Sequence, residues 1–130
     1  MIWYYIKTKA LYNKYTYLLK MKNKPIFIRV FGDTPKIRIL NCMLKYRGLD
    51  YSMSDIARNS KVGWATLSRL WKEFIKLKVV VFTRKIGRAK LYKINEENLA
   101  VQELINVYKA LLVQETKNYF RQKEPISIRD

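Results

Sequence analysis

Histidine is absent from the 130 residues, and cysteine occurs once, at Cys42. A zinc site needs several Cys or His ligands, so none of the usual kind is open to this chain. Every catalytic pair built on imidazole is excluded too, and no enzyme, cofactor or metal is expected. One cysteine allows no internal disulfide, which fits a reducing compartment. Glycine is scarce, and the four present (Gly32, Gly48, Gly63, Gly87) are too far apart to form a phosphate-cradling loop. Long apolar runs are missing. The first twenty residues are broken by Lys7, Lys9 and Lys14, whereas a membrane span needs about 20 mostly apolar residues. No positive segment followed by a clean apolar run marks a secretory signal, so a cytoplasmic location is expected.

Acidic side chains are also few. Ten Asp plus Glu stand against 27 Lys plus Arg, a formal charge of +17. Lys and Arg stay at the surface unless paired, and such a surface attracts polyanions: nucleic acid first, an anionic membrane surface second. Hydrophobic residues make up 49%, enough for a core and too many for a chain disordered by composition.

The elements follow from local chemistry. Residues 1–25 form a basic, aromatic arm carrying Tyr4, Tyr5, Tyr12, Tyr15 and Tyr17; within residues 1–32 there are seven basic side chains and no acidic one. A short helix is expected around residues 3–19. The arm would lie on phosphates or on a partner subunit, or act as an idle extension. Ile26 to Val30 is a β-rich run, one strand or an extended lead-in. Asp33 or Thr34 can cap a helix that has Pro35 in its first turn and runs over about 35–46 before Gly48. Cys42 reads as an ordinary small apolar residue on that helix. Ser54 is the expected cap of a second, short helix containing Ile56 and Ala57, followed by a polar turn. A third helix, about Trp64 to Leu77, carries the stripe Leu67, Leu70, Trp71 and Phe74. The β-forming run 79–84, the turn around Gly87 and the return 89–94 predict a hairpin with a basic tip. A long helix over 98–122 is expected, ended by Pro125.

Helix, short helix, turn, helix, hairpin, helix is the order of a winged helix-turn-helix, a mainly α fold with a small β wing. The segment from Ile56 to Leu70 resembles the helix-turn-helix core of bacterial and archaeal transcription regulators. Ile56, Ala57, Val62, Thr66, Leu67 and Arg69 match its I-A-x-x-x-G-V-S-x-x-T-V-x-R pattern. The segment from Thr34 to Leu40 looks like the first helix of archaeal arsenic-repressor-like regulators. The chain is also similar to small winged-helix proteins of archaeal plasmids, viruses and partition systems, over about residues 31–112. Two positions depart: the family's turn glycine is Lys61, and its capping Ser or Thr is Gly63. Lysine at the turn implies a left-handed backbone at a mild cost, and glycine caps only slightly less well than serine.

The resemblance implies double-stranded DNA as partner. A major groove about 12 Å wide admits one α-helix, and the start of the third helix would face it: Gly63, Trp64, Ala65, Thr66, Ser68, Arg69 and Lys72. Arg69 would pair with guanine or phosphate, or stay a solvated cation. Thr66 would reach DNA or bond its own backbone. Trp64 would touch a thymine methyl or a sugar, or pack on the second helix. Lys61 at the turn would take a phosphate, and Arg84, Lys85, Arg88 and Lys90 in the wing would take phosphates or the minor groove, or form a solvated turn. The last helix is too apolar to be left exposed, so Val101, Leu104, Ile105, Tyr108, Leu111 and Leu112 are expected at a homodimer interface. The expected organisation is an arm (1–25), a winged helix-turn-helix (26–97), a dimerisation helix (98–122) and a tail (123–130). The function expected is that of a homodimeric transcriptional regulator. An architectural or plasmid-partition protein that spreads along DNA is the alternative, and a winged-helix module binding protein or RNA the second.

Overall fold

The computed structural model describes residues 24–123. The arm helix expected around residues 3–19 and the tail beyond Lys123 lie outside them. The elements are α1 (Ile26–Phe31), α2 (Pro35–Lys45), β1 (Tyr51–Ser52), α3 (Met53–Ser60), α4 (Trp64–Lys76), β2 (Val80–Ile86), β3 (Ala89–Ile94) and α5 (Leu99–Lys123).

The β-rich run at Ile26 is a helix, contrary to the sequence expectation. It pairs with no strand; instead α1 turns Phe27 and Ile28 into the core, where Phe27 meets Tyr108 edge-on at 5.9 Å between centroids. Strand propensity reflects fit to a half-buried pleated surface, and here the surface on offer is α5. Gly32, at φ 98°, ends α1 with its N–H bonded to the Ile28 carbonyl.

The start of α2 follows the sequence signals. Thr34 is the N-cap, its side chain accepting from the Ile37 N–H, and Pro35 stands in the first turn. Ile39, Met43 and Leu44 are buried. Cys42 is buried beside them, and loss of solvent pushes its thiol above the ordinary value, so no activated thiolate forms. The Asn41 Oδ1 atom is also buried and has no hydrogen-bond partner among the described residues.

α3 is capped by Ser52, two residues earlier than the expected Ser54. Ser52 accepts from the Asp55 N–H at 3.2 Å, and the Asp55 carboxylate accepts from the Ser52 N–H, a reciprocal capping box. Ser52 is shared with β1, a two-residue strand too short to leave a pattern in the sequence. β1 pairs with β3 through Tyr51–Tyr92 and Ser52–Leu91, making a three-stranded antiparallel sheet in the order β1-β3-β2.

The turn between α3 and α4 places Lys61 in the left-handed region (φ 56°, ψ 44°), as its position in the turn implied. The Val62 N–H reaches back to the Ala57 carbonyl at 3.1 Å, tying off the end of α3. The same device closes α4, where Lys78 has φ 58° and the Val79 N–H bonds the Phe74 carbonyl. In both places a buried or half-buried valine follows the left-handed lysine, and anchoring that valine offsets a backbone cost of about 1 kcal/mol.

A single core joins these elements. Leu67, Trp71 and Phe74 of α4 meet Ile39 and Leu44 of α2, Ile56 of α3, Val80 and Ile94 of the sheet, and Val101, Ile105 and Tyr108 of α5. Each large side chain buried here stabilises by about 1.5–3 kcal/mol. Val101, Ile105 and Tyr108, expected at a dimer interface, are therefore core residues of the chain itself. The sequence reading underestimated how much of α5 the body covers, because α1 was not foreseen as a helix that packs against it.

Two stability tests follow. Replacing Ser52 with Ala removes the capping acceptor and should destabilise by about 1 kcal/mol, read as a lower urea midpoint with unchanged slope. Asp33 accepts from Arg38 at 2.5 Å and Lys24 at 2.6 Å. The Arg38 bond first, then the Lys24 bond, lowers its pKa from 3.8 to about 2. Its folded pKa is depressed, so its contribution is present above about pH 4 and is lost as pH falls through 2. Asp33→Asn should shrink the loss of stability over that window, and the two proteins should converge below it.

Candidate nucleic-acid interface

Helix α4 is oriented by what it buries. With Leu67, Trp71 and Phe74 facing the core, a period of 3.6 residues turns Ala65, Arg69, Lys72 and Lys76 outward, and all four are exposed. Gly63 is the N-cap in an extended conformation, with no side-chain cap bond. Trp64 is exposed rather than packed on α3. Thr66 and Ser68 are half-buried on the flanks. Neither hydroxyl makes a hydrogen bond with a described residue, so Thr66 does not bond its own helix.

The side chains of Lys61, Arg69, Lys72, Lys85, Arg88 and Lys90 are exposed and make no ion pair with a described residue. Arg84 differs. Its Nε lies 3.0 Å and its Nη2 3.3 Å from the Asp50 carboxylate, to which the Thr83 hydroxyl also donates at 2.7 Å. Arg84 and then Thr83 hold the Asp50 carboxyl below the ordinary carboxylate range. Thr83 sits where the register of β2 on β3 shifts between Phe82 and Arg84, and a bulge of this kind re-aims the strand beyond it. Arg84 is thus fastened to the base of the wing, while Lys85, Arg88 and Lys90 form its free tip. The sequence reading grouped all four because Asp50, more than thirty residues away, gave no sign of its reach.

The wing tip and the start of α4 border one cleft of about 300 Å³, lined by Ser52, Met53, Ser54, Trp64, Arg88, Ala89, Lys90 and Tyr92. Tyr92 ties its floor to α4, stacking edge-on to Trp71 at 5.4 Å. A second cavity, about 440 Å³, opens on the other side of the helix-turn-helix between α1, α2 and the end of α3. Asn41 and Cys42 line it with Arg38 and Lys61, and Arg38 donates to the Lys61 carbonyl at 3.2 Å. This cavity is therefore wired to the turn that sets α4. Its lining comes from three segments separated in sequence, and no local motif announced it. Among the described residues there is no cluster of three or more metal-ligating side chains, and no helix is long and apolar enough to cross a membrane.

No protein-family model matches the sequence, and no curated protein is significantly similar to it. Solved structures are similar in fold. MepR, a transcription regulator of the Staphylococcus aureus multidrug efflux pump MepA, superposes with a TM-score of 0.57 at 13% identity, over 89% of this chain and 84% of MepR. NadR in complex with 4-hydroxyphenylacetate gives 0.51 at 16% identity, over 89% and 84%. A predicted DNA-binding transcriptional regulator from E. coli gives 0.47 at 18% identity, over 82% and 97%. At these identities the likeness is one of architecture, and the superposition on MepR, with the element order and three-stranded sheet described above, gives the chain a winged helix-turn-helix fold.

Proposed function

We propose that this chain binds double-stranded DNA through α4 and the wing, and acts as a homodimeric transcriptional regulator. The observation that carries the reading is the separation of charge on the surface. Four of the eight described carboxylates, Asp33, Asp50, Asp55 and Glu115, each pair with a cation, while Lys61, Arg69, Lys72, Lys85, Arg88 and Lys90 pair with no described carboxylate and outnumber Glu73, the one carboxylate on α4. A helix flanked by free Arg and Lys matches the major groove and its phosphates. MepR is described as a transcription regulator, which supports the regulatory role. The resemblance to arsenic-repressor-like and partition proteins supplies the alternative, a protein that spreads along DNA, and the charge of +17 favours it. A footprint of constant length as protein is added supports the regulator; one that lengthens supports spreading.

The proposed dimer surface differs from the one expected from sequence. With Val101, Ile105 and Tyr108 in the core, the partner-facing set reduces to the half-buried Leu104 and Leu111 and the exposed Leu112. Val107, Val113 and Phe120 of α5 and Val30 and Phe31 of α1 are also exposed. Apolar side chains concentrated on two elements outside the DNA-facing side suit an isologous contact.

Two measurements test these statements. Arg88→Ala should weaken binding on every duplex and lower the slope of log K against log salt by about 1, since one phosphate contact is removed. Arg84→Ala should leave that slope nearly unchanged, its guanidinium being held by Asp50; equal effects of the two variants would refute the division of the wing. Leu112→Glu should convert a dimer to a monomer in sedimentation equilibrium, and a wild-type chain that sediments as a monomer at micromolar concentration would refute the dimer.

A further inference from the structure

Within the first two turns of α4, Trp64 is the one large apolar side chain left in solvent, 57% exposed. The fold does not use it. Among the described residues its ring meets no other ring and its indole N–H finds no hydrogen-bond partner. Its position is nevertheless specific. Trp64 stands seven residues before Trp71, so both lie on the same flank of the helix, and Trp71 packs on Tyr92 of the wing. Trp64 therefore faces the wing, and it shares the 300 Å³ cleft with Arg88 and Lys90. The outward positions Ala65, Arg69 and Lys72 are on a different face.

When a helix enters the major groove and a wing follows the neighbouring groove, the space between them is occupied by a sugar–phosphate strand. We infer that Trp64 clamps this strand: the indole face lies against a deoxyribose, its Nε1–H donates to a phosphate oxygen, and Arg88 and Lys90 neutralise the flanking charge. The inference rests on the DNA-binding reading above and assigns Trp64 a role distinct from base recognition. An indole offers one apolar face and one donor, and a deoxyribose beside its phosphate presents the complementary pair. The thymine methyl also matches the ring, but it lies on the groove floor, which the outward face of α4 addresses. The contact is uncharged on the protein side and carries no sequence information.

The test uses the full chain and two duplexes of unrelated sequence, each made with thymine and again with uracil. Trp64→Ala should weaken binding by about tenfold, the size of one ring contact to nucleic acid, and equally on both sequences. The salt slope should stay that of the wild type, because no phosphate charge is left unneutralised. Trp64→Phe, which keeps a ring and loses the donor, should fall between. Circular dichroism matching the wild type confirms the fold of each variant, as expected for an exposed side chain. Replacing thymine by uracil should leave the effect of Trp64→Ala unchanged. Wild-type affinity in Trp64→Ala overturns the clamp, and so does a loss confined to one sequence or abolished by uracil. Absence of binding by the wild-type chain to any duplex overturns the DNA-binding reading itself.

Discussion

The packing of Trp71 determines how the rest of the molecule is arranged. Its ring is 2% exposed and meets Phe74 and Tyr92 in edge-on contacts at 6.2 and 5.4 Å. Phe74 belongs to the same helix, and Tyr92 to the central strand of the sheet. One side chain thus sets the rotation of α4 about its own axis and its distance from the wing. Rotating α4 would bring Arg69 and Lys72 toward the core, where an unpaired charge is strongly disfavoured. The buried Trp71 indole N–H has no hydrogen-bond partner among the described residues, so within them the ring is held by packing.

Carboxylates are scarce, and four of the eight in the described body form ion pairs. Asp33 joins the loop before α2 to Lys24 and Arg38. Asp50 secures the base of the wing through Arg84. Asp55 closes the capping box of α3, and Glu115 pairs with Arg29 to link α5 to α1. These pairs are partly exposed, and each adds little stability by itself. Their larger effect is on the surface charge that remains: cations near the joints between elements are neutralised, and those on α4 and the wing tip pair with no described carboxylate.

Helix α5 serves two purposes along its length. Its first half completes the core through Val101, Ile105 and Tyr108. Its second half carries Leu112, Val113 and Phe120 into solvent. The apolar residues of both halves look alike in the sequence, and a helical stripe records only that a face will be covered, not by what. That distinction depended on α1, whose Ile26-Phe27-Ile28 run has the composition of a strand and the structure of a helix.

Signals confined to a few neighbouring residues were legible without the structure. They include the Thr34–Pro35 start of α2, the α4 stripe, the hairpin turning at Gly87 and the left-handed Lys61, because each depends on backbone sterics or on periodicity within one element. The absence of histidine and the excess of lysine and arginine likewise excluded imidazole chemistry and gave the surface its positive sign. The partner of Arg84, the exposure of Trp64 toward the wing, the pairing of β1 and the cavity beside Asn41 were settled only by tertiary structure. Each joins residues from separate segments, and long-range packing and ion pairing leave no trace in local pattern. The sequence by itself therefore determined the order of elements from α2 onward, β1 excepted, and the sign of the surface; which cations remain free on that surface was decided by the long-range packing and ion pairs.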